Sequence, residues 1–199
     1  MSFQPLDFRD FINLSVSSRE MLLEPILPEK SLTMLYAPRG IGKTLLALSI
    51  GLAVSTGAAL FRWSSPRPRR VLYVDGEMTT ADLQQRLVEI SVGLDRDIPN
   101  GAFRILSADH TDHGINLATE EGRAGLERVL DGTDLLVLDN LSTLFPNAGE
   151  SASDAWVPTQ NWLLNLRRCG VSVLFVHHAG TNGRQRGTSR REDVLDNEF

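Results

Sequence analysis

Apolar residues fall along this chain in two rhythms. Five runs of strand length are apolar on several consecutive positions instead of alternating: SLTMLYA (31–37), VLYVDGE (71–77), FRILSA (103–108), DLLVLDN (134–140) and VSVLFVHH (171–178). Strands covered on both faces have that pattern. Between most of them lie segments with helical spacing, at 43–57, 79–92, 119–130 and 154–169. In the second, Leu83, Leu87, Ile90 and Leu94 share one face. Strand and helix alternating in this way predict an α/β fold, a mostly parallel central sheet with helices on both faces. Residues 1–30 are mixed and close on Pro25 and Pro28, and proline disfavours helix in the residue before it. They read as an extended lead-in, with one domain over 31–199.

Composition narrows the classes. With 199 residues, 42% hydrophobic and 23% charged, the chain can bury one substantial core, and wholesale disorder is excluded. A net charge of −5 argues against coating nucleic acid over the whole surface, but leaves room for a local basic site. Cys169 is the single cysteine and cannot close an intramolecular disulfide. No stretch approaches the roughly 20 apolar residues of a membrane span. The opening MSFQPLDFRDF lacks a basic region followed by an apolar run. These features lead to the expectation of a cytoplasmic protein that makes no membrane contact. The basic loop SSPRPRR (64–70) reads as a solvated turn.

One stretch interrupts the apolar pattern. LYAPRGIGKTLLALSI (35–50) places a proline, two glycines, an arginine and a lysine between an apolar strand and an apolar helix. Backbone N–H groups that turn inward around an anion need glycine's freedom at positive φ. A helix starting near Lys43 adds the positive end of its dipole. APRGIGKT (37–44) resembles the Walker A loop of P-loop nucleotide triphosphatases, with Ala37 where the strict pattern has glycine. By that resemblance Pro38, Arg39, Gly40, Ile41, Gly42, Lys43, Thr44 and Leu45 hold ATP. Lys43 then bridges the β and γ phosphates, and the Thr44 hydroxyl ligates Mg2+.

Three strand ends add carboxylates and imidazoles. LLVLDN (135–140) resembles Walker B, in which Asp139 holds magnesium. Asn140 follows where many ATPases place a glutamate, and an amide is no useful base, so the base is expected elsewhere. VLYVDGE (71–77) offers Asp75 and Glu77 at the carboxyl end of the strand that follows the P-loop helix. Alternation puts both on one face, so spacing cannot choose between them. Resemblance to RecA-like and DnaB-like ATPases selects Glu77 as the catalytic base. In FVHHAG (175–180), neighbouring histidines face opposite ways, so a two-histidine metal site is not expected from that pair. RecA-like proteins carry a γ-phosphate sensor at this place, and His178 is the candidate. ADHTDH (108–113) has a metal-like composition but no distant ligand cluster to match it.

Taken in order, the P-loop, YVDGEM, LLVLDN, FVHHAG and RGTSRREDVLD resemble the plasmid RepA-type hexameric replicative helicases and their RepA-like AAA ATPase relatives, from about Leu32 to Asp196. The resemblance implies a RecA-like fold, Mg2+-dependent ATP hydrolysis, assembly into a homo-oligomer with nucleotide at subunit interfaces, and contact with single-stranded DNA. Such ATPases usually continue into further C-terminal strands that carry an arginine or lysine finger, which 31–199 is expected to lack. Arg184, Arg186, Arg190 and Arg191 form a basic cluster near the end, suited to a neighbour's γ-phosphate or to DNA. A nucleotide-gated regulatory module with little hydrolysis is the alternative reading. A small-molecule kinase fits Glu77 and the histidines poorly.

Overall fold

Strand parity divides each continuous apolar run between two layers. A computed structural model describes residues 3–94, 96–146, 153–178 and 195–199. Its elements are α1 (Phe8–Ile12), β1 (Met21–Leu23), β2 (Leu27–Pro28), β3 (Leu32–Ala37), α2 (Lys43–Thr56), β4 (Ala59–Leu60), β5 (Trp63–Ser64) and β6 (Val71–Asp75). There follow α3 (Thr80–Gly93), β7 (Phe103–Ser107), α4 (Glu120–Glu127), β8 (Leu135–Asp139), α5 (Leu141–Leu144), α6 (Ser153–Arg168), β9 (Ser172–His178) and β10 (Asn197–Glu198). Among the described residues, six strands form one sheet in the order β10-β3-β9-β8-β6-β7, every neighbouring pair parallel. The expected α/β fold with a parallel sheet is observed.

Alternate residues of each strand serve opposite faces. Leu72 and Val74, Leu136 and Leu138, and Val173 and Phe175 join one core with Trp162, Leu163 and Leu166 of α6. Val71 and Tyr73, Leu135 and Val137, and Leu174 and Val176 join the other, with Leu48, Ile50 and Val54 of α2 and Leu83 of α3. Each fully buried aliphatic side chain contributes about 1.5–3 kcal/mol relative to exposure. The face of α3 read from the sequence is the one that packs, since Leu87 and Ile90 lie beside Leu83 against this second core.

Shorter elements frame the sheet. Within the expected lead-in, β1 and β2 pair antiparallel, and Leu22, Leu23 and Leu27 are buried in the α2-side core. Residues before them are open to solvent, and Phe3, Phe8, Phe11 and Val16 are exposed. The end of the chain pairs with β3, Asn197 opposite Thr33 and Glu198 opposite Met34. The basic loop is no simple solvated turn. Arg69 is only 7% exposed and meets Glu20 and Glu29 at 2.5 Å each and Asp134 at 3.5 Å, which ties the loop to the lead-in and to the foot of β8. Among the described residues no helix is long and apolar enough to cross a membrane.

Candidate functional site

Parallel pairing brings four strand ends to one edge of the sheet. Ala37 of β3 pairs with His178 of β9, Val176 of β9 with Asp139 of β8, and Asp139 with Asp75 of β6. Open parallel sheets bind ligands at this edge.

The 37–44 loop turns here from β3 into α2. Gly40 and Gly42 have φ of +82° and +95°, a region that side-chain-bearing residues rarely adopt. Nothing lies within 4 Å of where a Cβ would stand on either, so the space in front of both is open. Lys43 is buried, and its Nζ donates to the carbonyls of Ala37 and Pro38 at 2.7 Å each. Burial pushes the ammonium below its ordinary range, and Arg39 adds to the effect.

A cleft of about 320 Å³ opens beside this loop. Arg39, Gly40, Gly42, Lys43, Thr44, Glu77, Asp139 and His178 line it, together with Asp75, Met78 and Arg86. Pro38 contributes its carbonyl to Lys43 and no lining. Ile41 and Leu45 are 64% and 46% exposed and do not line the cleft.

Asp139 is nearly inaccessible and accepts from Tyr73 Oη at 2.6 Å and from the Thr44 side chain. Burial raises its carboxyl, while those two hydrogen bonds oppose the rise. Asp75, its partner across the ladder, accepts from the backbone N–H of Met78 at 2.9 Å. Burial, with Asp139 nearby, lifts Asp75 to about 6. Tyr73 Oη is driven well above its usual range by burial and by Asp139. The Thr44 hydroxyl and the Asp139 carboxylate at one point make a hard-oxygen donor set, which suits Mg2+ bound with phosphate oxygens and water. Open glycine backbone, a lysine and that donor set fit magnesium–ATP.

Glu77 follows Gly76, and glycine is required there by close approach. A Cβ on Gly76 would lie 2.5 Å from Thr143 Oγ1 and 2.9 Å from Leu144 Cδ2, both on α5. Glu77 is 56% exposed at its side chain and accepts from Asn140 Nδ2. His178 Nε2 is 3.2 Å from that same Nδ2 and 3.7 Å from Glu77 Oε2. Burial lowers the His178 pKa, and Lys43 lowers it further. Parity separates the two histidines: His178 shares the side of Leu174 and Val176, whereas His177 is buried on the opposite side with Val173 and Phe175.

The sequence marked Asn140 only as unable to act as the base, and gave Tyr73 no role. Asn140 caps α5, its Oδ1 accepting from the N–H groups of Ser142 at 3.0 Å and Thr143 at 3.2 Å. An asparagine directly before LST was a readable cap signal. Tyr73 stands two residues before Asp75, on the same face of β6, so parity could have placed it. Asp109 of the ADHTDH segment accepts from the N–H and hydroxyl of Thr80, at 2.8 Å each, at the start of α3. Arg184, Arg186, Arg190 and Arg191 lie outside the described residues.

An α/β domain with a parallel sheet, a glycine-rich loop between β3 and α2, and acids at the neighbouring strand ends has the RecA-like P-loop fold. A family model described as an AAA domain matches residues 1–184, and the chain belongs to that family. Among solved structures it is similar to a KaiC-like protein from the hyperthermophilic archaeon Pyrococcus horikoshii OT3. That match has 18% identity and a TM-score of 0.61, and covers 87% of this chain and 72% of the archaeal one. At that identity the likeness concerns the fold.

Proposed function

We propose that this chain is a Mg2+-dependent ATPase of RepA type. Its hydrolysis drives translocation on DNA, unwinding or assembly on DNA, in replication or mobile-element maintenance. One observation carries the reading: Lys43, Thr44, Asp139, Glu77 and His178, chosen from separate motifs, line one cleft.

In this account Lys43 leaves the Ala37 and Pro38 carbonyls for the β and γ phosphates. Thr44 and Asp139 hold the metal, which supplies neutralisation of phosphate charge. Glu77 takes a proton from the attacking water while the bond between the γ-phosphorus and the bridging oxygen breaks, releasing ADP and phosphate. His178 contacts the γ-phosphate. Asp75 is the rival carboxylate, but it lies deeper and already accepts from backbone. Glu77, more open to solvent, is better placed to meet water.

The protein works in this proposal as a homo-oligomer, a hexamer by resemblance, located in the cytoplasm. Phe3, Phe8, Phe11 and Val16, all exposed in the segment before β1, are apolar side chains that a subunit contact would cover. Steady-state ATPase with and without single-stranded DNA tests the reading. Lys43→Ala and Glu77→Gln each abolish turnover, about 100-fold or more for the base, and only Lys43→Ala greatly weakens ATP binding. Normal turnover by Glu77→Gln overturns the base assignment. Absence of DNA stimulation at every protein concentration overturns the motor and favours the regulatory module.

A further inference from the structure

Asn140 sits between the two groups that the proposed reaction needs to be free. Its amide orientation is fixed by partners that have only one role each. The N–H groups of Ser142 and Thr143 can only donate, so the atom facing them is the acceptor Oδ1. Nδ2, with two hydrogens, therefore points at Glu77 Oε2 and at His178 Nε2. A donor facing Nε2 at 3.2 Å requires an unprotonated Nε2, so a neutral His178 carries its proton on Nδ1. Glu77, which would favour a proton on Nε2, is farther away at 3.7 Å. Nδ1 is buried with no hydrogen-bond partner among the described residues, so a proton there has no acceptor, a cost that the contact with Asn140 must outweigh. The nearer Asn140 donor decides.

We propose that Asn140 is a positioning residue. Before nucleotide binds, its single amide holds Glu77 and keeps His178 in the Nδ1–H tautomer. This rests on the reading of Glu77 as base and His178 as sensor. To donate to a phosphate oxygen, Nε2 must first acquire a proton, and a protonated Nε2 can no longer accept from Asn140. Phosphate contact by His178 and the shared Asn140 bridge thus exclude each other. Arrival of a γ-phosphate loosens the restraint on Glu77.

The test uses 15N-labelled, nucleotide-free full chain and long-range proton–nitrogen spectra of its four histidines, with His178 assigned by His178→Gln. Wild type is expected to show a proton on Nδ1 and an unprotonated Nε2. Asn140→Ser and Asn140→Asp keep a side-chain oxygen to cap α5 but lose the Nδ2 amide, and the shorter serine hydroxyl, engaged at the cap, does not replace it. Both are expected to move the tautomer ratio toward Nε2–H by about tenfold, the size of one ordinary hydrogen bond. A wild-type spectrum with the proton on Nε2 overturns the proposal by itself. So does a folded variant of either kind with the wild-type tautomer, and the near-isosteric aspartate serves if the serine variant does not fold. No ATP is present, so these outcomes are independent of turnover. Loss of the ATPase reading leaves the tautomer result standing, and a wrong tautomer in an active ATPase sinks only this proposal.

Discussion

Asp75→Asn is expected to stabilise the protein at neutral pH, although it removes a carboxylate from the candidate cleft. Asp75 is almost wholly inaccessible, has Asp139 as its ladder neighbour, and has no cation paired with it among the described residues. Its pKa rises from 3.8 to about 6. Because the folded-state pKa lies above the unfolded value, the ionised side chain costs stability once pH exceeds both. Below pH 3.8 the acid is neutral in both states and the cost vanishes. A rise of about two pH units, at about 1.4 kcal/mol each, amounts to about 3 kcal/mol. Asparagine keeps an oxygen for the Met78 N–H and carries no charge. The gain should therefore grow from near zero at pH 3.8 to about 3 kcal/mol above pH 6. For a chain of this length that is about 6–12 °C in Tm. Urea unfolding of wild type and variant across pH, in EDTA so that no metal repairs the acid pair, reads it directly. A variant no more stable than wild type at pH 8, or equally stabilised at pH 3.5, refutes the reasoning.

Tyr73→Phe removes the buried donor to Asp139. It should cost about 1.5–3 kcal/mol at neutral pH, the range for a hydrogen bond to a charged group, and less in acid, where Asp139 is protonated. Denaturation at two pH values checks both parts. Gly76→Ala puts a methyl group into Thr143 and Leu144. It should lower stability by about 1–3 kcal/mol by overpacking and reduce turnover more than ATP affinity, because Glu77 moves while the phosphate loop does not. Comparing kcat and KM tests that division.

The long elements were legible because β6, β8 and β9 are buried on both faces, and a continuous apolar run records that burial. α3 was legible from its single apolar face. Elements of two or three residues leave no period to read. β1 and β2 contribute Leu22, Leu23 and Leu27 to the core from a segment whose prolines suggested only a lead-in. Asn197 and Glu198 join the sheet through their backbone, which residue type does not record. At the cleft, motif spacing brought Lys43, Thr44, Asp139, Glu77 and His178 to one list, and sheet register explains why they meet. Ile41 lies within the loop and Leu45 directly after it, but both are exposed and neither lines the cleft. Arg69 escaped because its partners, Glu20 and Asp134, are distant in sequence. The same distance hid the contacts of Asn140 with Glu77 and His178, although its cap on α5 is local.

A structure determined with magnesium and a non-hydrolysable ATP analogue tests the central claim most directly. The account predicts phosphate oxygens against the N–H groups of residues 40–44, Lys43 Nζ released from the Ala37 and Pro38 carbonyls, and metal at Thr44. An analogue bound elsewhere, or Lys43 still donating to those two carbonyls beside an empty loop, would contradict it.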